Sequence, residues 1–205
     1  MKTLRAPLLL FALPALLLAF APARQGLFLL DRSATAGEPW RLWSGHWVHF
    51  SASHLGWNLA VLLAAGAGLE RVRPGLLWRH TLLAAPLLSL ALLIFEPGLQ
   101  TYGGLSGLAT GVVVLLGLHQ LRTPGATRLL WAGVLALVAV KTTHDATHAD
   151  PLLVRYDAAG VRSSVTAHAA GAIIAVLYYM AGRLRAALQR RRPARSNQLP
   201  AHPGP

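Results

Sequence analysis

Residues 76–95 read LLWRHTLLAAPLLSLALLIF. At a helical rise of about 1.5 Å per residue this run covers the ~30 Å hydrocarbon core of a bilayer. Its only ionisable groups, Arg79 and His80, sit near one end. Breakers bracket it: Arg73-Pro74-Gly75 before and Glu96-Pro97-Gly98 after. Such a stretch predicts a membrane-spanning helix, and working outward the pattern recurs. Spans are predicted over 4–23, 52–70, 76–95, 104–121, 126–141 and 164–182, joined by short connections such as Thr123-Pro124-Gly125. The fold class is therefore all-α, a polytopic membrane protein whose six transmembrane helices form one bundle in residues 1–189. The Arg/Pro-rich tail, 190–205, is expected to be disordered. Met1–Arg24 also has the layout of a secretory signal, but its near-span length and central Pro14 favour a retained first helix.

Composition agrees. Of 205 residues 54% are hydrophobic and 13% charged, and the mean hydropathy is +0.47. A soluble domain carries roughly twice that share of charge. The absence of cysteine excludes disulfides, thiolate catalysis and cysteine metal sites. The net charge of +12 admits a nucleic-acid partner until the charges are placed. With the N-terminus in the cytoplasm, the cytoplasmic pieces hold Lys2, Arg5, Arg71, Arg73, Arg79, Arg122, Arg128, Arg183, Arg185, Arg190, Arg191, Arg192 and Arg195, against Glu70 alone. The outer pieces balance: Arg24, Arg32, Arg41, Lys141, Arg155 and Arg162 face Asp31, Glu38, Glu96, Asp145, Asp150 and Asp157. The excess lies on one side, the positive-inside pattern, with both termini cytoplasmic. The basic residues flank apolar helices and are not interleaved with aromatics, so no nucleic-acid partner is expected and the lipid bilayer is.

Polar residues inside spans are costly and mark function. His54 and Asn58 fall in the first turns of the second span, Ser106 opens the fourth, and His168 lies about 7–8 Å into the sixth. These helices run the same way, so the four residues share one layer in the outer half of the bilayer. Serine needs an adjacent base to act as nucleophile, and His168 is the available one. Asn58, His54 and the backbone N–H groups of the Gly104-Leu105-Ser106-Gly107 turn are donor types that stabilise an oxyanion. No acid lies at that depth in these helices, so a Ser-His dyad is expected and not a triad. Taken singly, Gly-Leu-Ser-Gly reads as close helix packing, as do Gly111, Gly117 and Gly171. His144-Asp145-x-x-His148 has metal-ligand spacing but sits in a predicted polar outer loop without a third ligand, so no metal or cofactor is expected. His80 and His119 read as interfacial at the cytoplasmic ends, and Trp40, Trp43 and Trp47 as anchors at the outer interface.

In combination, Trp40-Arg41, His49-x4-His54-x3-Asn58, Gly104-Leu105-Ser106-Gly107 and Ala167-His168-x-x-Gly171 resemble the rhomboid intramembrane serine proteases over nearly the whole chain. The resemblance implies a short fourth helix carrying Ser106 as nucleophile and His168 as general base. It implies His54, Asn58 and the Ser106 backbone N–H as oxyanion donors, and Trp40 and Arg41 as a structural motif of a membrane-embedded first loop. Gly104, Gly107, His49, Thr110 and Gly171 would support the site. The small size and the stretch Gly37–His49 are most similar to the rhombosortase branch of Gram-negative inner membranes. Its implied substrates are single-pass transmembrane segments, among them C-terminal sorting helices with a Gly-Gly-type motif and a basic tail. One position departs. Where many rhomboids carry an aromatic ring that stacks on the histidine, and rhombosortases a histidine, this chain has Thr110, whose hydroxyl can only hydrogen-bond. Two other readings compete: a non-catalytic rhomboid-like protein that binds membrane clients, and a small transporter using histidine proton relays.

Overall fold

The protein's computed structural model describes residues 2–148 and 164–191. The chain begins with α1 (Lys2–Pro7), one π turn (Leu8–Ala12) and α2 (Leu13–Ala19). Pro22 cannot continue a helix and biases Ala21 away from helical angles. The path therefore turns by 103° into a 3₁₀ turn (Pro22–Arg24) and α3 (Gln25–Phe28). The first predicted span is thus a bent pair. β1 (Leu30–Asp31), α4 (Arg41–Ser44) and a 3₁₀ turn (Gly45–Trp47) build the loop before α5 (Ala52–Val72). There follow α6 (Leu76–Phe95), β2 (Thr101–Tyr102), α7 (Ser106–Gln120), α8 (Ala126–Thr147) and α9 (Val165–Arg191).

Among the described residues, α5, α6, α8 and α9 are long and apolar enough to cross a membrane, and the bent N-terminal pair adds a fifth span if counted as one. Of the six expected spans, the fourth is the one outside this count. α7 has 15 residues, about 22 Å, too short to cross alone. It is instead the hub, with Leu108, Val112, Leu115 and Leu116 buried against α5, α6, α8 and α9. Around it the helices expose Leu82, Leu87 and Ile94 of α6, Leu129 and Leu137 of α8, and Ile173 and Leu177 of α9. Apolar side chains on so much of the outside suit lipid and not water. α8 and α9 both outrun the predicted helices, to Thr147 and Arg191. Residues 192–205 of the predicted tail lie outside the described residues.

The loop from α3 to α5 is fastened by indole and guanidinium groups. Pro14 has no N–H for the Leu10 carbonyl, and Pro86 none for that of Leu82. Trp47 Nε1 donates to Leu10 O at 2.6 Å and Trp43 Nε1 to Leu82 O at 3.1 Å. Arg41 is buried and donates to the Gly26 and Leu29 carbonyls, both at 2.7 Å, and to Glu38. Trp40, half exposed, donates to Leu27 O. Arg32 closes the C-terminus of α6 by donating to the Leu93, Glu96 and Leu99 carbonyls, where a cation also meets the negative helix end. The two-residue antiparallel ladder of Leu30 with Tyr102 and Asp31 with Thr101 joins this loop to the approach to α7.

Candidate active site

Three helices begin at one end of the bundle, each for a local reason. Ser51 caps α5, its Oγ accepting from His54 N at 3.1 Å. Ser164 caps α9, its Oγ accepting from Ala167 N at 3.0 Å and donating to Glu96 at the end of α6 at 2.7 Å. α7 opens at Ser106, half-buried, directly after the Gly103-Gly104-Leu105 turn. His54 and Asn58 therefore stand in the first two turns of α5 and His168 in the first turn of α9, all three buried.

Glycine brings these starts together. α7 and α9 touch backbone to backbone: a Cβ at Gly171 would overlap the Gly107 carbonyl, and one at Gly107 would lie 2.8 Å from the Ala167 carbonyl oxygen. The residue after Ser106 thus meets the residue before His168. One turn further along α7, Thr110 Oγ1 lies 2.9 Å from His168 Nδ1 and donates to the Ser106 carbonyl at 3.0 Å. A hydroxyl has one hydrogen and a carbonyl can only accept, so that hydrogen goes to Ser106 O. Thr110 Oγ1 then accepts from His168 Nδ1–H, which leaves Nε2 as the ring's basic nitrogen. Gly104 adopts φ of +139°, and a Cβ there would sit 2.6 Å from His54 Cε1 and 2.9 Å from its Nε2. The His54 ring thus lies flush against the turn that leads to Ser106.

His49 organises the other wall. Its Nδ1–H donates to Trp47 O at 3.0 Å, so Nε2 carries the lone pair. That atom accepts from Asn58 Nδ2 at 3.2 Å and from the Leu105 backbone N–H at 3.4 Å. Burial, with a smaller contribution from His54, pushes the His49 imidazole down to about 3, so it stays neutral. His54 packs edge-on against it at 4.9 Å. Tyr102 donates to Gly104 O at 3.0 Å and meets His46 edge-on. His46 Nε2–H points to Ala85 O at 2.8 Å, with Ser89 Oγ 3.0 Å away. Burial holds His46 down to about 4.

Several placements differ from the sequence expectations. His80, read as facing the cytoplasmic boundary, is fully buried between α6, α7 and α9, beside Gly111 and edge-on to Tyr178. His144, Asp145 and His148 are not in a loop: α8 continues through Thr147 with His148 as its cap, and the two histidine rings stack at 4.1 Å. Asp145 is buried and paired with Lys141, and both act electrostatically on His168. The Lys141-x-x-x-Asp145 spacing of one helical face was the signal that α8 runs on through this stretch. Among the described residues no group of three histidine, cysteine or carboxylate side chains gathers as a metal site.

The rhomboid domain, as a family model, matches residues 36–185, a segment that holds every residue of this cluster. No curated protein matches the chain.

Proposed function

This chain belongs to the rhomboid family, whose members are intramembrane serine proteases, and from that premise we propose that it is a serine endopeptidase using a Ser106–His168 dyad. The family and the apolar helices make it a multi-pass membrane protein acting on transmembrane substrates. One observation carries the proposal: the hydrogen bond from His168 Nδ1 to Thr110, on the helix that Ser106 opens. It orients the base and leaves Nε2 to take a proton. In the reading proposed, Ser106 Oγ attacks the scissile carbonyl as His168 Nε2 removes its hydrogen. The alkoxide that develops meets the Ser106 N–H, the second amide hydrogen of Asn58 and His54. The starts of α5, α7 and α9 add three positive helix ends on the same side. His168 then protonates the leaving amine, and water activated by the same base resolves the acyl-enzyme. His49 and Gly104 hold this wall in place, while Gly107 and Gly171 set the distance between the two helices.

The finer assignment follows the Gly37–His49 resemblance: a rhombosortase-like enzyme of a bacterial inner membrane, both termini cytoplasmic, removing C-terminal Gly-Gly-type sorting helices from single-pass proteins. The test uses the full chain in liposomes with a substrate bearing such a helix, and a fluorophosphonate probe. Cleavage and labelling are expected in the native protein and neither in Ser106→Ala or His168→Ala. Cleavage that survives Ser106→Ala would overturn the dyad. A native protein that binds the helix without cleaving or labelling would favour the client-binding alternative.

A further inference from the structure

At the opposite end of the bundle a cavity of about 440 Å³ opens between the end of α5, the start of α6, the end of α7 and the last turns of α9. Arg73, Arg122, Arg183 and Arg190 line it, and no carboxylate does. Among the described residues the ion pairs join Arg41 to Glu38 and Lys141 to Asp145, with the His144 ring 3.7 Å from Asp145, so none of these four guanidinium groups is in one. Arg73 and Arg122 also act on the half-buried His119 inside the cavity. Cations drawn into one concavity repel each other unless an anion sits among them. The site is built and not a loose patch: Tyr178 is held edge-on by buried His80 at 5.5 Å, and Tyr179 by His119 at 5.0 Å. Both tyrosines line the cavity, and Leu76 and Leu115 contribute apolar wall.

Position says which anion. His119 lies 13 residues beyond Ser106 on α7, about 20 Å along the helix, so the cavity sits at the far membrane boundary. Beside it α9 exposes Leu177, Met180, Leu184 and Leu188, a stripe at helical spacing that continues the lipid-facing surface. A phosphate bound by the arginines would place attached acyl chains along that stripe. We propose that this cavity is a headgroup site for an anionic phospholipid, with arginine forks on the phosphate and tyrosine hydroxyls beside it. The inference rests on the membrane placement of the bundle and is independent of the Ser106–His168 chemistry.

The experiment takes the full chain, delipidated in a mild detergent, and titrates phosphatidylglycerol against phosphatidylcholine, reading thermal stability and lipid adducts by native mass spectrometry. Phosphatidylglycerol is expected to raise the melting temperature and leave one tightly held adduct, and phosphatidylcholine to do neither. Arg73→Gln with Arg122→Gln should weaken the phosphatidylglycerol effect by about fivefold per arginine removed. Arg71→Gln with Arg128→Gln removes the same charge outside the cavity and should leave it unchanged. Arg183→Gln, in the exposed last turns of α9, supplies the same reading should the first pair fail to fold. Equal weakening by both pairs would reduce the effect to diffuse surface charge and overturn the site. Equal response to both lipids, or full displacement of phosphatidylglycerol by millimolar inorganic phosphate, would overturn the lipid assignment.

Discussion

Thr110 takes the position where a ring would stack on the histidine, and its single hydroxyl does a different job. It joins the Ser106 carbonyl to His168 Nδ1 and so selects the tautomer of the proposed base. Thr110→Val keeps the volume and removes the link. Loss of a hydrogen bond of about 1.5–2.5 kcal/mol to the developing imidazolium should lower kcat by about 10- to 100-fold with KM nearly unchanged. Thr110→Ser should restore most of the rate, an outcome that packing alone does not predict, and steady-state kinetics on a helical substrate would read both. His49 makes a second prediction. Its pKa, held at about 3 in the fold, returns to about 6.5 when the chain unfolds, and His46 moves likewise from about 4. Between those limits the unfolded chain binds more protons, so stability falls as pH drops below about 6.5. Each histidine contributes a slope of about 1.4 kcal/mol per pH unit in that window. His49→Gln keeps polar groups in place without titrating, so its melting temperature should fall less steeply between pH 7 and pH 5 than that of the native protein. Equal slopes would show that His49 is not held neutral by burial.

Elements are joined here through carbonyls that proline sets free. Pro86 sits inside α6 and Pro14 in the first turn of α2, and each leaves a carbonyl four residues earlier without its helical donor. Tryptophans of the first loop occupy both positions. In the sequence those tryptophans read as interfacial anchors, because hydropathy places an aromatic ring near a boundary but does not reveal which carbonyl a distant proline has released. Arg32 was opaque for the same reason; its three acceptors lie more than 60 residues away in the chain. What could be read were helices bracketed by turn residues, as α6 is by Pro74-Gly75 and Pro97-Gly98, and polar residues standing in apolar runs. A double-mutant cycle tests the proline coupling. Trp43→Phe in the native background should cost about 1 kcal/mol, the net value of one hydrogen bond. Pro86→Ala restores a backbone N–H at that position, which can reach Leu82 O, and in that background the tryptophan change should cost less by about 0.5–1 kcal/mol. Unfolding in detergent gives all four corners, and additive costs would separate Trp43 from the proline.

For the whole molecule, charge and polar chemistry divide the bundle between its two ends. One end collects the starts of α5, α7 and α9 with Ser106, His168, His54 and Asn58. The other collects Arg73, Arg122, Arg183 and Arg190. Helix directions inferred from charge imply this division, but the backbone contact that gathers the candidate site at the first end does not follow from them. It depends on Gly107 and Gly171 falling at the same height on crossing helices, and spacing along one chain does not fix where two helices cross. Positive charge resists translocation, so the arginine-rich end is expected in the cytoplasm and the serine end outside. Alkaline phosphatase fused after Gln100, next to the serine end, should be active, and the same fusion after Arg122 or Arg191 inactive; a fluorescent-protein series should give the reverse. Exchanging basic side chains for neutral ones at Arg71, Arg73, Arg79, Arg122 and Arg128 together, with lysines placed at Thr101 and Thr147, should produce a mixed population in both reporters, because orientation follows the difference in positive charge between the loops. Unchanged single orientation in that variant would show that the helices themselves, and not the loop charges, set the direction in which Ser106 faces.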